Sequence, residues 1–222
     1  MISLVIPAWN AARTLGETLA SAQAQSRPPD EIIVVDDGST DATAAIATAS
    51  GARVLSQARQ GPGVALNTGM AAAQGEFLAF LDADDLWPVD KLAQQSARLA
   101  AEPELDGVLG RVENFLCPSL SPEQAGRYRI EAGPIPGWLA GALLVRRAKA
   151  ELVGRFAPAM TGGAFIDWFD RARRAGLRFA MTDDLALRRR IHPGSWSHRS
   201  AVRDAGYLQM ARAAIARRRG EA

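Results

Sequence analysis

The stretch Phe80-Leu81-Asp82-Ala83-Asp84-Asp85-Leu86-Trp87 places three carboxylates within four positions, directly after the apolar run 77–81. Like charges that close repel, and a carboxylate at a strand end is costly to desolvate. The cluster makes chemical sense as a holder for a hard divalent cation. Mg²⁺ takes one or two carboxylates and completes its shell with phosphate oxygens and water. The cation cancels the repulsion among the carboxylates and stabilises charge on a departing diphosphate. Two other polar turns share this placement. Asp36-Asp37 follows the apolar run 31–35, and Pro7-Ala8-Trp9-Asn10 follows the run 2–6.

A scaffold must bring these turns together. Short apolar runs at 2–6, 31–35, 52–56 and 76–81 read as buried parallel strands. Residues 11–24, 41–48 and 64–73 read as the helices between them, with Ser39, Thr40 or Asp41 as cap candidates. This alternation predicts an α/β fold with one doubly wound, mostly parallel sheet. Ligands of such sheets bind outside the carboxyl ends of the strands, so the three turns are expected on one edge. The second half is less regular. It reads as a helix over 87–101 opened by Pro88, a strand over 105–115 and an irregular, Pro- and Gly-rich stretch over 117–136. A strand-like run at 138–145, a helix over 165–175, strands at 177–181 and 185–191, and a basic helix over 204–219 follow.

With 222 residues, 48% apolar and 23% charged, the chain has the composition of an ordinary globular domain. Its formal net charge of +2 gives no global basic field for nucleic acid. The single cysteine, Cys117, allows no internal disulfide and fits a reducing compartment. The apolar start lacks a basic leader and breaks at Pro7, so it reads as a first strand and not a signal peptide. No run of about 18 apolar residues is present. A cytoplasmic protein is the expectation.

The blocks VIPAWN, IIVVDDGSTD, NTGMAAAQGEFLAFLDADDLW and GGAFIDWFDRARRAG, in that order, closely resemble family 2 glycosyltransferases of the GT-A fold. The resemblance runs from Ile2 to about Ser197. It implies a single domain over 1–222, with a nucleotide-sugar half (1–101), a small acceptor-side half (102–198) and the basic C-terminal helix (199–222). It implies inverting transfer of a sugar from a UDP-sugar to a hydroxyl or thiol acceptor, with Mn²⁺ or Mg²⁺ as cofactor. A non-catalytic nucleotide-sugar-binding module of the same fold is the alternative. A dinucleotide oxidoreductase is disfavoured, because Pro7-Ala8-Trp9-Asn10 stands where a G-x-G-x-x-G turn would be needed.

Residue by residue, the resemblance assigns Pro7, Ala8, Trp9 and Asn10 to the nucleotide, with Trp9 stacking on the uracil. Such stacking is worth about 1–3 kcal/mol. Asp37 would accept from the uracil imide and Asp36 would orient its loop; helix capping is the alternative for this pair. Asp82, facing the ribose or the metal's water shell, and Ala83 belong to the nucleotide and Asp84 to the metal, with Asp85 structural as a cap of the next helix. Gly63 and Asn67 fall on the loop and helix between nucleotide and sugar. Leu66 stands where an arginine is common, and Arg59 is a candidate to replace it, a surface role being the alternative. Asp167 matches the general base, with Asp170 in reserve; Ile166 replaces a common glutamate before it. Arg190 and Ser195 match a loop over the diphosphate, and His192 would contact the diphosphate or complete the metal shell, a surface loop position being the alternative. Gly141 is expected to leave room for the sugar, an ordinary packed strand being the alternative. The acceptor stays open among glycan, lipid-linked sugar and peptide. The arginines of the C-terminal helix offer a contact for a membrane surface or a second subunit.

Overall fold

The computed structural model describes residues 1–158 and 163–194. Eight strands form one sheet: β1 (Ile2–Ala8), β2 (Glu31–Asp36), β3 (Arg53–Ser56), β4 (Phe77–Phe80), β5 (Gly107–Leu116), β6 (Ile135–Pro136), β7 (Leu143–Arg146) and β8 (Phe179–Ile191). Their order is β3-β2-β1-β4-β7-β5-β6, with β8 also paired to β5. The β3-β2-β1-β4 half is parallel, as the apolar runs predict. β7 enters antiparallel between β4 and β5, and β8 runs parallel to β5.

The helices are α1 (Leu15–Gln23), α2 (Thr43–Ala49), α3 (Pro62–Ala72), α4 (Lys91–Ala101), α5 (Pro122–Ala125), α6 (Arg147–Val153) and α7 (Ala164–Arg174). β1 is buried along its whole length. Period-two alternation sends Ile2, Leu4 and Ile6 into the core against α1, while Val5 joins Ile33, Val35, Leu78 and Phe80 on the opposite face. α3 lies close on that second face at Gly69. A Cβ there would stand 2.2 Å from Val5 Cγ1, so only glycine fits.

Four elements differ from the sequence reading. Pro88 does not open a helix; α4 begins at Lys91, and Trp87 is anchored by its indole N–H to Gly141 O at 2.9 Å. The run 138–145 is a 3-10 turn (Ala140–Ala142) followed by β7, because Leu139 and Ala142 turn inward before the strand starts. The predicted pair 177–181 and 185–191 is one long strand, β8, with register shifts against β5 where the turn residues Asp183 and Asp184 lie. The irregular stretch contains α5, closed by a Ser121–Gln124 capping box. Among the described residues no helix is long and apolar enough to cross a membrane.

Candidate active site

The parallel strand order changes direction between β1 and β4, and a cleft of about 550 Å³ opens at the carboxyl ends there. Pro7, Ala8, Trp9, Asn10, Asp37, Asp82, Ala83, Asp84, Arg190 and His192 all line it. Sequence-distant turns therefore converge as the strand pattern requires. A second concavity of about 590 Å³, lined by Gln94, Arg98, Met181 and Asp184, carries none of these groups.

The wall at β1 and β2 is a hydrogen-bonded unit. Asn10 adopts a left-handed φ of 47°, and its side-chain oxygen accepts from Thr40 N at 2.8 Å. Its own N–H donates to Ser39 Oγ at 2.9 Å. Asp36 accepts from Ser39 N at 3.0 Å, which is the loop-orienting role expected of it. Asp37 is the buried acceptor at the centre. Its Oδ1 takes Gln57 Nε2 (2.8 Å) and Gln60 N (2.9 Å), and its Oδ2 takes Gly61 N (2.8 Å). A carboxylate oxygen has two lone pairs, so Oδ2 retains acceptor capacity toward the cleft. Trp9 is 38% exposed, and the guanidinium of Arg59 lies over its ring with Cζ 3.4 Å from the centroid.

The acidic turn after β4 is held from two sides. Thr14 and Thr18, one turn apart on or beside α1, both donate to Ala83 O, at 2.9 and 3.1 Å. From the other side, Leu86 and Arg188 exchange backbone hydrogen bonds of 3.0 and 2.9 Å, which lays the end of β8 along the turn. Arg190 N then donates to Asp85 Oδ1 at 2.8 Å. Asp85 is thus structural, as expected, though it secures β8 and caps no helix. Burial, then the neighbouring Asp84 and Asp82 charges, push its pKa well above the usual carboxylate range. Asp82 lines the cleft and is exposed to it. The surrounding protein, then Asp84, raise its pKa to about 6, against the opposing pull of Arg189.

His192 Nε2 lies 2.9 Å from Asp84 Oδ2. Gly194 N donates to His192 Nδ1 at 3.1 Å. A carboxylate and an imidazole are oxygen and nitrogen groups of the kind that ligate divalent cations. Among the described residues no group of three or more acidic, His or Cys side chains could enclose a metal alone.

Four residues are placed otherwise than expected. Arg190 is nearly inaccessible: its Nε donates to Asp84 O at 2.8 Å and its head group pairs with Glu17 at 2.6 Å. It braces the acidic turn and does not present a free head group to a diphosphate. Asn67 has both ends of its amide on the Phe156 backbone, at 2.8 Å each, and Gly63 packs toward Ala157 O; both belong to the scaffold behind the cleft wall. Gly141 makes its close approach to Leu187, where a Cβ would be 3.0 Å away. Asp167 lies in the first turn of α7, buried, with Oδ2 3.1 Å from Arg171 Nε. Gly163, which opens the helix, lines the cleft; Asp167 itself is not among the lining residues described. Ser195, His198 and the basic C-terminal helix lie outside the described residues. Thr14, Glu17, Thr18 and Gln57 escaped the sequence reading, because single polar residues on helices or after strands carry no pattern that marks a partner far along the chain.

The fold is of the GT-A kind. A mannosyltransferase from Pyrobaculum calidifontis, solved with GDP-Man and Mn²⁺, superposes with a TM-score of 0.75 at 21% identity, over 96% of this chain and 64% of that one. Staphylococcus aureus TarS (residues 1–349, with UDP-GlcNAc) does so with a TM-score of 0.70 at 22% identity, over 89% of this chain and 60% of that one. Residues 3–148 match the family described as glycosyl transferase family 2, and the chain belongs to that family. An uncharacterized glycosyltransferase of Nostoc sp. is 39% identical over 118 residues, 50% of this chain and 36% of the relative. An Escherichia coli UDP-Glc:alpha-D-GlcNAc-diphosphoundecaprenol beta-1,3-glucosyltransferase is 33% identical over 99 residues, 43% of this chain and 39% of the relative. The chain thus matches well under half the length of these curated relatives.

Proposed function

We propose that the cleft binds a UDP-sugar with a divalent cation and transfers the sugar, with inversion, to an acceptor hydroxyl. The observation that carries this reading is the convergence of Trp9, Asp37 and the Asp84–His192 pair on one cleft at the carboxyl edge. Trp9 offers a stacking face to the base. The remaining acceptor capacity of Asp37 suits an imide N–H, a group that uracil has and cytosine lacks. Asp82 faces the ribose, and Pro7, Ala8 and Asn10 shape the wall beside it.

Asp84 and His192 would hold the cation, and when bound it would supply charge stabilisation to the departing diphosphate. Arg189, close enough to Asp82 to lower its pKa, offers a guanidinium on the same wall. Asp167 is the proposed base. It stands in the first turn of α7 with Arg171 beside it. It takes the acceptor O–H proton as the acceptor oxygen attacks C1. The C1–O bond to the diphosphate breaks, and UDP leaves with that electron pair from the opposite face.

The reading follows from the family and the cleft; the acceptor stays open among glycan, lipid-linked sugar and peptide. It is tested by incubating the protein and Mn²⁺ with UDP-glucose, UDP-galactose, UDP-GlcNAc and GDP-mannose, and measuring nucleotide diphosphate release. Release of UDP from at least one donor is expected. Release from GDP-mannose alone would overturn the base assignment, and release from none would overturn the donor class.

A further inference from the structure

Arg59 Cζ stands 3.4 Å from the centroid of the Trp9 ring. That is van der Waals contact, so no planar ligand fits between the two. Both residues line the cleft together with Asp37 and Gly61. The turn after Asp37 fixes the root of the side chain. Gly38 has a φ of +76°, and a Cβ there would stand 3.0 Å from Arg59 N, so this turn packs on the Arg59 backbone. The head group is less firmly held. Arg59 is exposed, and exposed guanidinium–indole contacts are weak. Among the described residues its head group has the indole for a partner and no carboxylate within ion-pair distance.

A planar cation on the Trp9 face occupies the kind of place that a stacked nucleobase requires. The rest of the cleft is rich in acid: Asp37, Asp82, Asp84 and Asp85 all line it. Of the arginines there, Arg190 is already engaged by Asp84 O and Glu17. Arg189 stands near Asp82 on the same wall, and Arg59, on a long flexible stem, adds a second guanidinium that a diphosphate in this acid-rich cleft can use.

We propose that Arg59 has two positions, one on Trp9 in the empty cleft and one on the diphosphate after the nucleobase displaces it. The proposal rests on the nucleotide reading given above. Base and guanidinium compete for one indole face, and the released guanidinium offers planar donors to phosphate oxygens. The grip on the diphosphate is then conditional on a seated base, so that sugar phosphates and inorganic diphosphate do not recruit Arg59.

The test is calorimetric titration of uridine and, separately, UDP with Mn²⁺ into the native chain, Arg59→Ala and Arg59→Lys. Arg59→Ala is expected to bind uridine about threefold tighter, because the competing stack is gone. It is expected to bind UDP about fivefold weaker, because a charge-assisted phosphate contact is lost. Arg59→Lys keeps the charge without the planar face, so it binds uridine as the alanine variant does and recovers most of the UDP affinity. A folding defect would move both ligands in one direction. Equal affinities throughout, weakening of both ligands, or tighter uridine with unchanged UDP would each overturn the proposal. A native chain that binds neither ligand would overturn the nucleotide reading itself, and this proposal with it.

Discussion

Asp84 Oδ2 and His192 Nε2 meet at 2.9 Å across 108 residues of chain. The contact closes the end of β8 onto the turn after β4, and it joins the two protein donors that a cation would use. Replacing His192 with alanine removes one of them and leaves the base-binding wall untouched. Mn²⁺-supported UDP binding is expected to fall about tenfold, a loss of ~1.4 kcal/mol, with UDP binding in EDTA unchanged. Calorimetry with and without the metal checks this; a variant that keeps native metal dependence would remove His192 from the site.

Asp167→Asn keeps the size of the side chain and removes its basicity. Transfer is expected to fall about 10²–10⁴-fold, with the affinity for UDP within about twofold of native. Rapid-quench turnover beside a UDP titration separates the two effects. A variant with full transfer would move the base elsewhere, Asp170 being the next acid on α7.

Arg190 braces the acidic turn through Asp84 O and Glu17. Arg190→Met retains the buried stem and deletes these charge-assisted bonds, so a stability loss of about 2–3 kcal/mol is expected. Metal-dependent UDP binding should weaken in parallel, measured well below the melting point. Unchanged stability in urea titration would contradict the bracing role.

Lys91 is fully buried, bonded to Gln95 Oε1 at 2.8 Å and Leu143 O at 3.2 Å, and burial holds its pKa well below the usual lysine range. Between the folded and unfolded pKa values the unfolded chain binds more protons. Stability therefore rises with pH through that window, which ends near the unfolded value of about 10.4. The native urea midpoint is expected to climb between about pH 7 and 9.5 more steeply than that of Lys91→Met. Parallel slopes for the two proteins would contradict the assignment.

Gly69→Ala forces a methyl onto Val5, where the built Cβ stands 2.2 Å from Cγ1. Overpacking of this kind costs about 1–3 kcal/mol, and the cost falls on the contact of α3 with β1 that shapes the cleft. Thermal melting of the variant measures it; a native melting temperature would show that α3 shifts freely.

Much of the site was legible because the strands that carry it are short, apolar and continuous. Residues 2–6, 31–35 and 76–81 announce β1, β2 and β4, and a parallel sheet brings the residues after them to one edge. The second half was harder to read. Whether 138–145 is strand or turn depends on Leu139 and Ala142 packing into a core that the local sequence does not describe. The functions of Arg190 and Asn67 were misread for a related reason. Arginine and asparagine suit phosphate and sugar equally as well as backbone carbonyls, and only the positions of Glu17, Asp84 O and Phe156 decide between them. Nothing local marks Thr14 and Thr18 as the supports of Ala83.

The central claim is that the carboxylates after β4 form a metal–diphosphate site. The most direct measurement is calorimetric titration of UDP into the native chain and Asp84→Ala, each with Mn²⁺ and with EDTA. The account predicts that Mn²⁺ strengthens UDP binding to the native chain by about tenfold or more, and that Asp84→Ala abolishes the gain while retaining the weak binding seen in EDTA. UDP binding that is indifferent to both Mn²⁺ and the substitution would contradict it.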